Sequence, residues 1–296
     1  MLKKLLLLTI TSLFIVVSLE AKIIHKERSL YRNMVVTESN QERCLVFTVK
    51  RRAKARQSCM DLNNPDRLVF RYAQVAMTSF ALQAEPETIL VIGLGGGTLP
   101  NAYKVLLPEA EVTSVEIDPA VIKVAKEYFA YEESEKLKTI KKDARVFVKQ
   151  QLREEAKYDL IILDAFNGDY IPEHLMTQEF LQEVKGLMHA ESVLVSNTFS
   201  SSSLYDHESQ TYQAVFGDFY NLKIPNSNRI IIALNKELPD YKSLIDNAQS
   251  LEYDFDQFNV SLLDNISLIE PGKDWNTKAR VLTDQFSPAN LLQGRD

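Results

Sequence analysis

Directly after the apolar run Thr88-Ile89-Leu90-Val91-Ile92 the chain reads Gly93-Leu94-Gly95-Gly96-Gly97, and no other feature constrains its fold as tightly. A short run of branched apolar residues closed by glycine reads as a strand buried on both faces. The glycines allow a tight turn and let a ligand touch backbone N–H groups where the next helix starts. Thr98 stands where a GxGxxG loop keeps its last glycine, and the Walker lysine is absent, so a pyrophosphate cradle fits poorly. From here strands and helices alternate. Further strands are predicted over Glu111–Ile117, Lys138–Lys141, Tyr158–Leu163, Ser192–Ser196 and Arg229–Leu234. Helical stretches fall between them, at Pro119–Phe129, Gln178–Met188 and Asp206–Phe219. The alternation predicts an α/β architecture with a doubly wound, mostly parallel sheet.

The chain before this sheet has a different texture. Residues 22–85 read as a small β-rich domain, and 86–296 as the ligand-binding domain, ending in a helix and a closing segment after position 238. Cys44–Val49 and Gln57–Met60 read as a strand and its return, with Lys50, Arg51, Arg52, Lys54 and Arg56 as a solvated tip. A helix is predicted over Leu68–Ala84. Residues 1–21 open with Lys3-Lys4, continue without charge from Leu5 to Leu19, and offer Ser18 and Ala21 for cleavage. That pattern predicts an export signal, or failing cleavage an inner-membrane anchor, and hence a periplasmic or membrane-associated protein. Cys44 and Cys59 are too few for a disulfide scaffold and lack CxxC spacing. They could pair across the hairpin after export, or remain ordinary thiols in the cytosol. With 34 Lys+Arg against 40 Asp+Glu, the chain lacks the basic balance of a nucleic-acid binder. Four His without an HExxH pattern predict no metal.

Three acids follow the glycine loop in register with the strands. Glu116, 19 residues after Gly97, ends the second strand, where a carboxylate can accept both hydroxyls of a ribose. Asp143 follows the third strand, within reach of an adenine amino group, and Asp164 ends the fourth. All three converge with the glycines on the sheet edge where open α/β folds bind ligands. His174 reads as a loop or helix-start residue, and Ser200–Ser203 as a loop without a GxSxG elbow. Tyr128, Phe129 and Tyr131 read as core and helix end.

Gly93–Gly97, Val115-Glu116-Ile117-Asp118, Lys141-Lys142-Asp143-Ala144-Arg145 and Asp159–Asp164 together resemble the polyamine aminopropyltransferase (spermidine synthase) family. The resemblance extends over roughly residues 26–235. It implies a Rossmann-like class I methyltransferase fold behind a small N-terminal β domain, a small-molecule amine substrate, and a homodimer. The co-substrate it implies is decarboxylated S-adenosylmethionine, or S-adenosylmethionine itself. Carried over by position, Gly93, Gly95, Gly97, Glu116, Asp143 and Ala144 would hold the nucleoside. Asp164 would be the catalytic carboxylate, while Gln57, Tyr72 and Asp169 would face the acceptor. The chemistry asks for such an acid, because an amine must lose a proton to attack the carbon beside a sulfonium. This chain departs from the family at Gly96 and Asn167, where the family has aspartates, and at Tyr72-Ala73-Gln74, where it has Tyr-His-Glu. Two alternatives stay open on the residues: an S-adenosylmethionine-dependent methyltransferase, and a nucleoside-binding homologue without turnover.

Overall fold

The computed structural model describes residues 21–47, 55–166, 170–225 and 227–286. The leader, the hairpin-tip cations Lys50, Arg51, Arg52 and Lys54, and the site positions Asn167 and Asp169 lie outside the described residues.

Four strands open the chain: β1 (Lys22–Arg28), β2 (Asn33–Ser39), β3 (Glu42–Phe47) and β4 (Ala55–Asp61), paired in that order as an antiparallel sheet. Alternation puts Met34, Val36, Leu45 and Met60 into the core. Cys44 and Cys59 stand directly opposite each other across β3 and β4 and are joined as a disulfide. The next helix, α1, is shorter than the predicted Leu68–Ala84. It runs Arg71–Ala76 and tightens into a 3₁₀ turn over Met77–Ala81. Leu68 is held elsewhere, its N–H on the Phe258 carbonyl and its carbonyl on the Gln74 side chain, and Phe70 is extended.

The larger sheet contains β5 (Thr88–Ile92), β6 (Glu111–Glu116), β7 (Leu137–Lys141), β8 (Tyr158–Leu163), β9 (Met188–Phe199), β10 (Tyr220–Lys223) and β11 (Asn228–Leu234). Its connections carry α2 (Thr98–Leu106), α3 (Pro119–Tyr128), α4 (Ala144–Arg153), α5 (Gln178–Lys185) and α6 (Tyr205–Phe216). The order β10-β11-β9-β8-β5-β6-β7 is parallel from β9 to β7 and antiparallel at β10 and β11. The strand expected over Arg229–Leu234 therefore runs opposite to the βαβ prediction. The short β10, not predicted, turns the chain back before β11 begins. Two further helices, α7 (Tyr241–Ser250) and α8 (Leu262–Ile266), follow. Side chains of both, Leu244 and Ile266, join the same core as Phe80 of the 3₁₀ turn. Among the described residues no helix is long and apolar enough to cross a membrane.

One core cluster runs unbroken from Met34 and Leu45 of the first sheet to Ile89, Val91 and Leu160 of the second. The two sheets are thus packed as one body. Strand order reverses at β5, which lies between β6 and β8, and this leaves a crevice at the carboxyl ends of the three.

Candidate active site

A cleft of about 500 Å³ occupies that crevice, walled on the other side by β4 and the start of α1. The turn after β5 is folded hard against the end of β8. Gly93 has φ +103°, and a Cβ there would lie 2.3 Å from the carbonyl oxygen of Asp164. Gly95, at φ +57°, also lines the cleft. Gly97, expected on the nucleoside, is not among the cleft-lining residues. It opens α2 at φ +76°, and a Cβ would meet the Tyr131 ring at 2.5 Å, so its smallness serves packing. Gly96 is boxed in likewise, 2.8 Å from Ser58 Oγ and 3.0 Å from the Phe129 ring measured from a built Cβ.

Glu116 ends β6 with both oxygens engaged. Oε1 accepts from the Asp118 N–H at 2.9 Å and Oε2 from the Leu94 N–H at 3.3 Å, which ties the glycine turn to the second strand. Burial raises its pKa, and the two N–H groups and the Arg32 guanidinium oppose that. Asp143 caps α4 through the Val146 N–H at 3.0 Å and meets His174 Nε2 at 3.2 Å. Asp143, Ala144 and His174 all line the cleft, His174 from a 3₁₀ turn over Glu173–Leu175.

Asp164 stands just past β8, facing the cleft. Tyr72 Oη donates to Oδ2 at 3.1 Å, and Asn197 Nδ2 donates to Oδ1 at 2.8 Å. Burial pushes the carboxyl up to about 6, although both donors favour the ionised form. The Tyr72 phenol is raised, by burial first and by the Asp164 charge second. Gln57 and Ser58 reach the cleft from β4, and Arg32, Arg56, Arg71 and Lys142 add positive charge to its walls. Phe166 and Phe199 meet edge to face at 5.1 Å on the side of Asp164.

The structure therefore gathers Gly93, Gly95, Glu116, Asp143, Ala144, Asp164, Gln57 and Tyr72 around one cleft. Gln74 is turned inward, its amide on the Leu68 carbonyl at 2.7 Å, and does not line the cleft. Sequence reasoning missed Asn197, Asn228 and Arg32. Asn197 had a signal, since it follows the predicted strand 192–196 on the same sheet edge as Asp164. Arg32 and Asn228 had none. Phe129 and Tyr131 are core residues, as read from the sequence. Among the described residues, Glu42, Cys44 and Cys59 come close enough to hold a metal, but both sulfurs are spent in the disulfide.

A cleft at the switch point of a seven-stranded sheet, in which β11 alone runs against the other strands, defines a protein of class I methyltransferase-like fold. Among solved structures, human methyltransferase-like protein 13 in complex with SAH is similar to it, with TM-score 0.53 and 24% identity over 68% of this chain and 92% of that one. A probable spermidine synthase from Corynebacterium glutamicum is similar at TM-score 0.64 and 18% identity, covering 88% of this chain and 99% of that one. Within that class the assignment narrows. The model of the spermine/spermidine synthase domain matches residues 70–225. A polyamine aminopropyltransferase of Vibrio vulnificus is 46% identical over 277 residues, 93% of this chain and 92% of that protein. The chain belongs to the spermine/spermidine synthase family.

Proposed function

We propose that this protein is an aminopropyltransferase that moves the aminopropyl group of decarboxylated S-adenosylmethionine onto an amine. The observation that carries the reading is the Asp164 carboxylate, held from both sides by Tyr72 and Asn197 beside the glycine turn and Glu116. The amine nitrogen attacks the methylene carbon next to the sulfonium, the C–S bond breaks, and its electron pair neutralises the sulfur as a thioether. The proton leaving the nitrogen passes to Asp164. A carboxylate titrating at about 6 is ionised at neutral pH and still basic enough to receive it. Glu116 and Asp143 serve the ribose and adenine ends, each with lone pairs left after its backbone hydrogen bonds.

A second reading is methyl transfer from S-adenosylmethionine itself, and Arg71 favours it. Its Nη1 donates to the neutral Gln74 amide at 3.2 Å, and no carboxylate among the described residues pairs with it. That leaves a cleft-lining cation for the carboxylate of an intact donor. Mass spectrometry of products from purified protein, offered each donor with a panel of amines, separates the two readings. Absence of product with either donor would leave a nucleoside-binding homologue.

The Lys3–Ala21 leader and the Cys44–Cys59 disulfide support a location in an oxidising compartment or on its membrane. Cell fractionation with thiol alkylation tests it; free thiols in a cytosolic pool would reject it. A homodimer remains part of the proposal on family grounds, testable by sedimentation.

A further inference from the structure

We infer that Ser227, Asn228 and Asn197 form a one-way chain of hydrogen-bond donors that fixes the amide of Asn197 and so keeps Asp164 ready to accept a proton. The inference rests on the reading of Asp164 as the proton acceptor. The chain crosses three strands. The Ser227 hydroxyl donates to Asn228 Oδ1 at 3.1 Å, Asn228 Nδ2 donates to Asn197 Oδ1 at 2.8 Å, and Asn197 Nδ2 donates to Asp164 Oδ1 at 2.8 Å.

Its direction follows from chemistry. An ionised carboxylate only accepts, so Asn197 must turn its NH₂ toward Asp164 and its oxygen toward β11. That oxygen accepts only if Asn228 presents its own NH₂, which leaves the Asn228 oxygen to receive the Ser227 hydroxyl. Reversing any link sets the Asn197 oxygen against the Asp164 carboxylate. The framework makes the chain possible. Asn197 lies opposite Ile230 in the antiparallel β9–β11 pair, so Asn228, two residues away, shares its face. The turn carrying Ser227 is fastened by the Ser200 N–H to the Ser227 carbonyl at 3.0 Å and the Ser227 N–H to the Ile224 carbonyl at 3.2 Å. Asn228 lines the cleft and touches Asp164 through Asn197, which makes it a positioning residue.

Other groups act on the same carboxylate. Tyr72 of α1 donates to its second oxygen, and the buried Tyr103 phenol of α2 feels its charge. Arg32, Arg71, Lys142, Glu116, Asp143 and His174 stand on the cleft walls. None of them orients Asn197.

The test is the titration of Asp164, read by carboxyl-carbon NMR with the resonance assigned from Asp164→Asn, and alongside it the acid limb of the pH–rate profile. Asn228→Asp turns the donor into an acceptor, so Asn197 must flip. The Asp164 titration should rise by about 1 unit, a shift of the size a changed hydrogen-bond partner produces. Asn228→Ala removes the orienting bond without forcing the flip, and should raise it by about 0.3–0.5 unit. If Asp164 is the acceptor, kcat at pH 6.5 should fall several-fold in Asn228→Asp while KM for the nucleoside stays within twofold. The neutral Asn228→Ala variant separates the lost orientation, which it shares, from a through-space charge effect, which only Asn228→Asp brings and which salt would screen little at a buried carboxylate. An unmoved titration in both variants, or a shift in Asn228→Asp with none in Asn228→Ala, overturns the inference. If Asn228→Asp does not fold, the Ala variant decides alone. Wild type without turnover on any donor would sink the proposed function, while the NMR titration would still judge the chain.

Discussion

The two ends of the cleft are built differently. The end proposed for the nucleoside is local: Gly93, Gly95, Glu116 and Asp143 sit at the ends of three parallel strands that are neighbours in the sheet and close in sequence. The reacting end is assembled from afar. Tyr72 comes from the helix before the sheet, Asp164 follows β8, and Asn197 and Asn228 come from an antiparallel pair at its other side. Short connections make the first a rigid cradle. The second depends on hydrogen bonds between segments that share no turn. Ligand binding and chemistry should therefore fail separately.

The largest effect should fall at Asp164. Asp164→Asn should lower turnover by ~10²–10⁴, the scale for losing a general base, with nucleoside affinity nearly unchanged. Stability should move the other way. The folded pKa of about 6 lies above the ordinary aspartate value of 3.8, so ionisation works against the fold. That cost is absent below the unfolded pKa, grows between the two values and is complete above about 6. Asn does not carry it, so the variant should gain up to about 3 kcal/mol at pH 8 and nothing near pH 2. Melting curves and single-turnover rates on one sample decide. A folded, fully active variant would remove the distinction between the two ends.

Gly93 is where the ends touch. Ala there would combine a positive φ with a contact to the Asp164 carbonyl that has no room to relax, costing about 3 kcal/mol of stability. Both nucleoside affinity and turnover should fall with it, unlike Asp164→Asn. Urea unfolding with calorimetry checks this; a loss of turnover alone would show that the turn is slacker than its packing implies.

Glu116→Ala sharpens the other end. It should weaken binding of a thioether nucleoside by ~1.5–3 kcal/mol, the range for a hydrogen bond to a charged group. Because Glu116 also holds the Leu94 and Asp118 N–H groups, melting should drop as well. Unchanged affinity in calorimetry would leave Glu116 a strand-end brace.

What could be read in advance follows the same division. Strand β5, its glycine turn, Glu116 and Asp143 declare themselves within residues 88–143, because burial on both faces forces an apolar run and the turn after it forces glycine. Asp164 was legible for the same reason, at the end of Tyr158–Leu163. Tyr72 entered only through resemblance, since nothing local links it to a carboxylate 92 residues away. Asn228 stayed hidden behind β10, four residues long, and behind a strand whose reversed direction no periodicity reports. Arg32 sits at a hairpin tip and reads as surface until the first sheet is laid over the second. The Leu68–Ala84 helix was overdrawn because tertiary partners claim the backbone of Leu68. Local signals fix what one strand end offers, and pairing decides which offers meet.

The smallest effect concerns Gly96, where this chain lacks the acid its family keeps. Composition alone suggests that Gly96→Asp would put a charge back into the site. The packing argues otherwise. A Cβ at Gly96 would sit 2.8 Å from Ser58 Oγ and 3.0 Å from the Phe129 ring, and Phe129 is 1% exposed in the core. Gly96 has an ordinary φ, so crowding, not backbone strain, should set the cost, about 1–2 kcal/mol for an overpacked position. Ser58→Ala should return part of it by removing the nearer atom, and the Phe129 contact should keep the remainder. Adding the two single changes in melting temperature should overestimate the loss in the double variant, the mark of a shared contact. Additive losses would place the strain elsewhere in the turn. A Gly96→Asp variant that melts like the wild type would mean Ser58 and Phe129 yield freely, and the nucleoside end would lose its claim to rigidity.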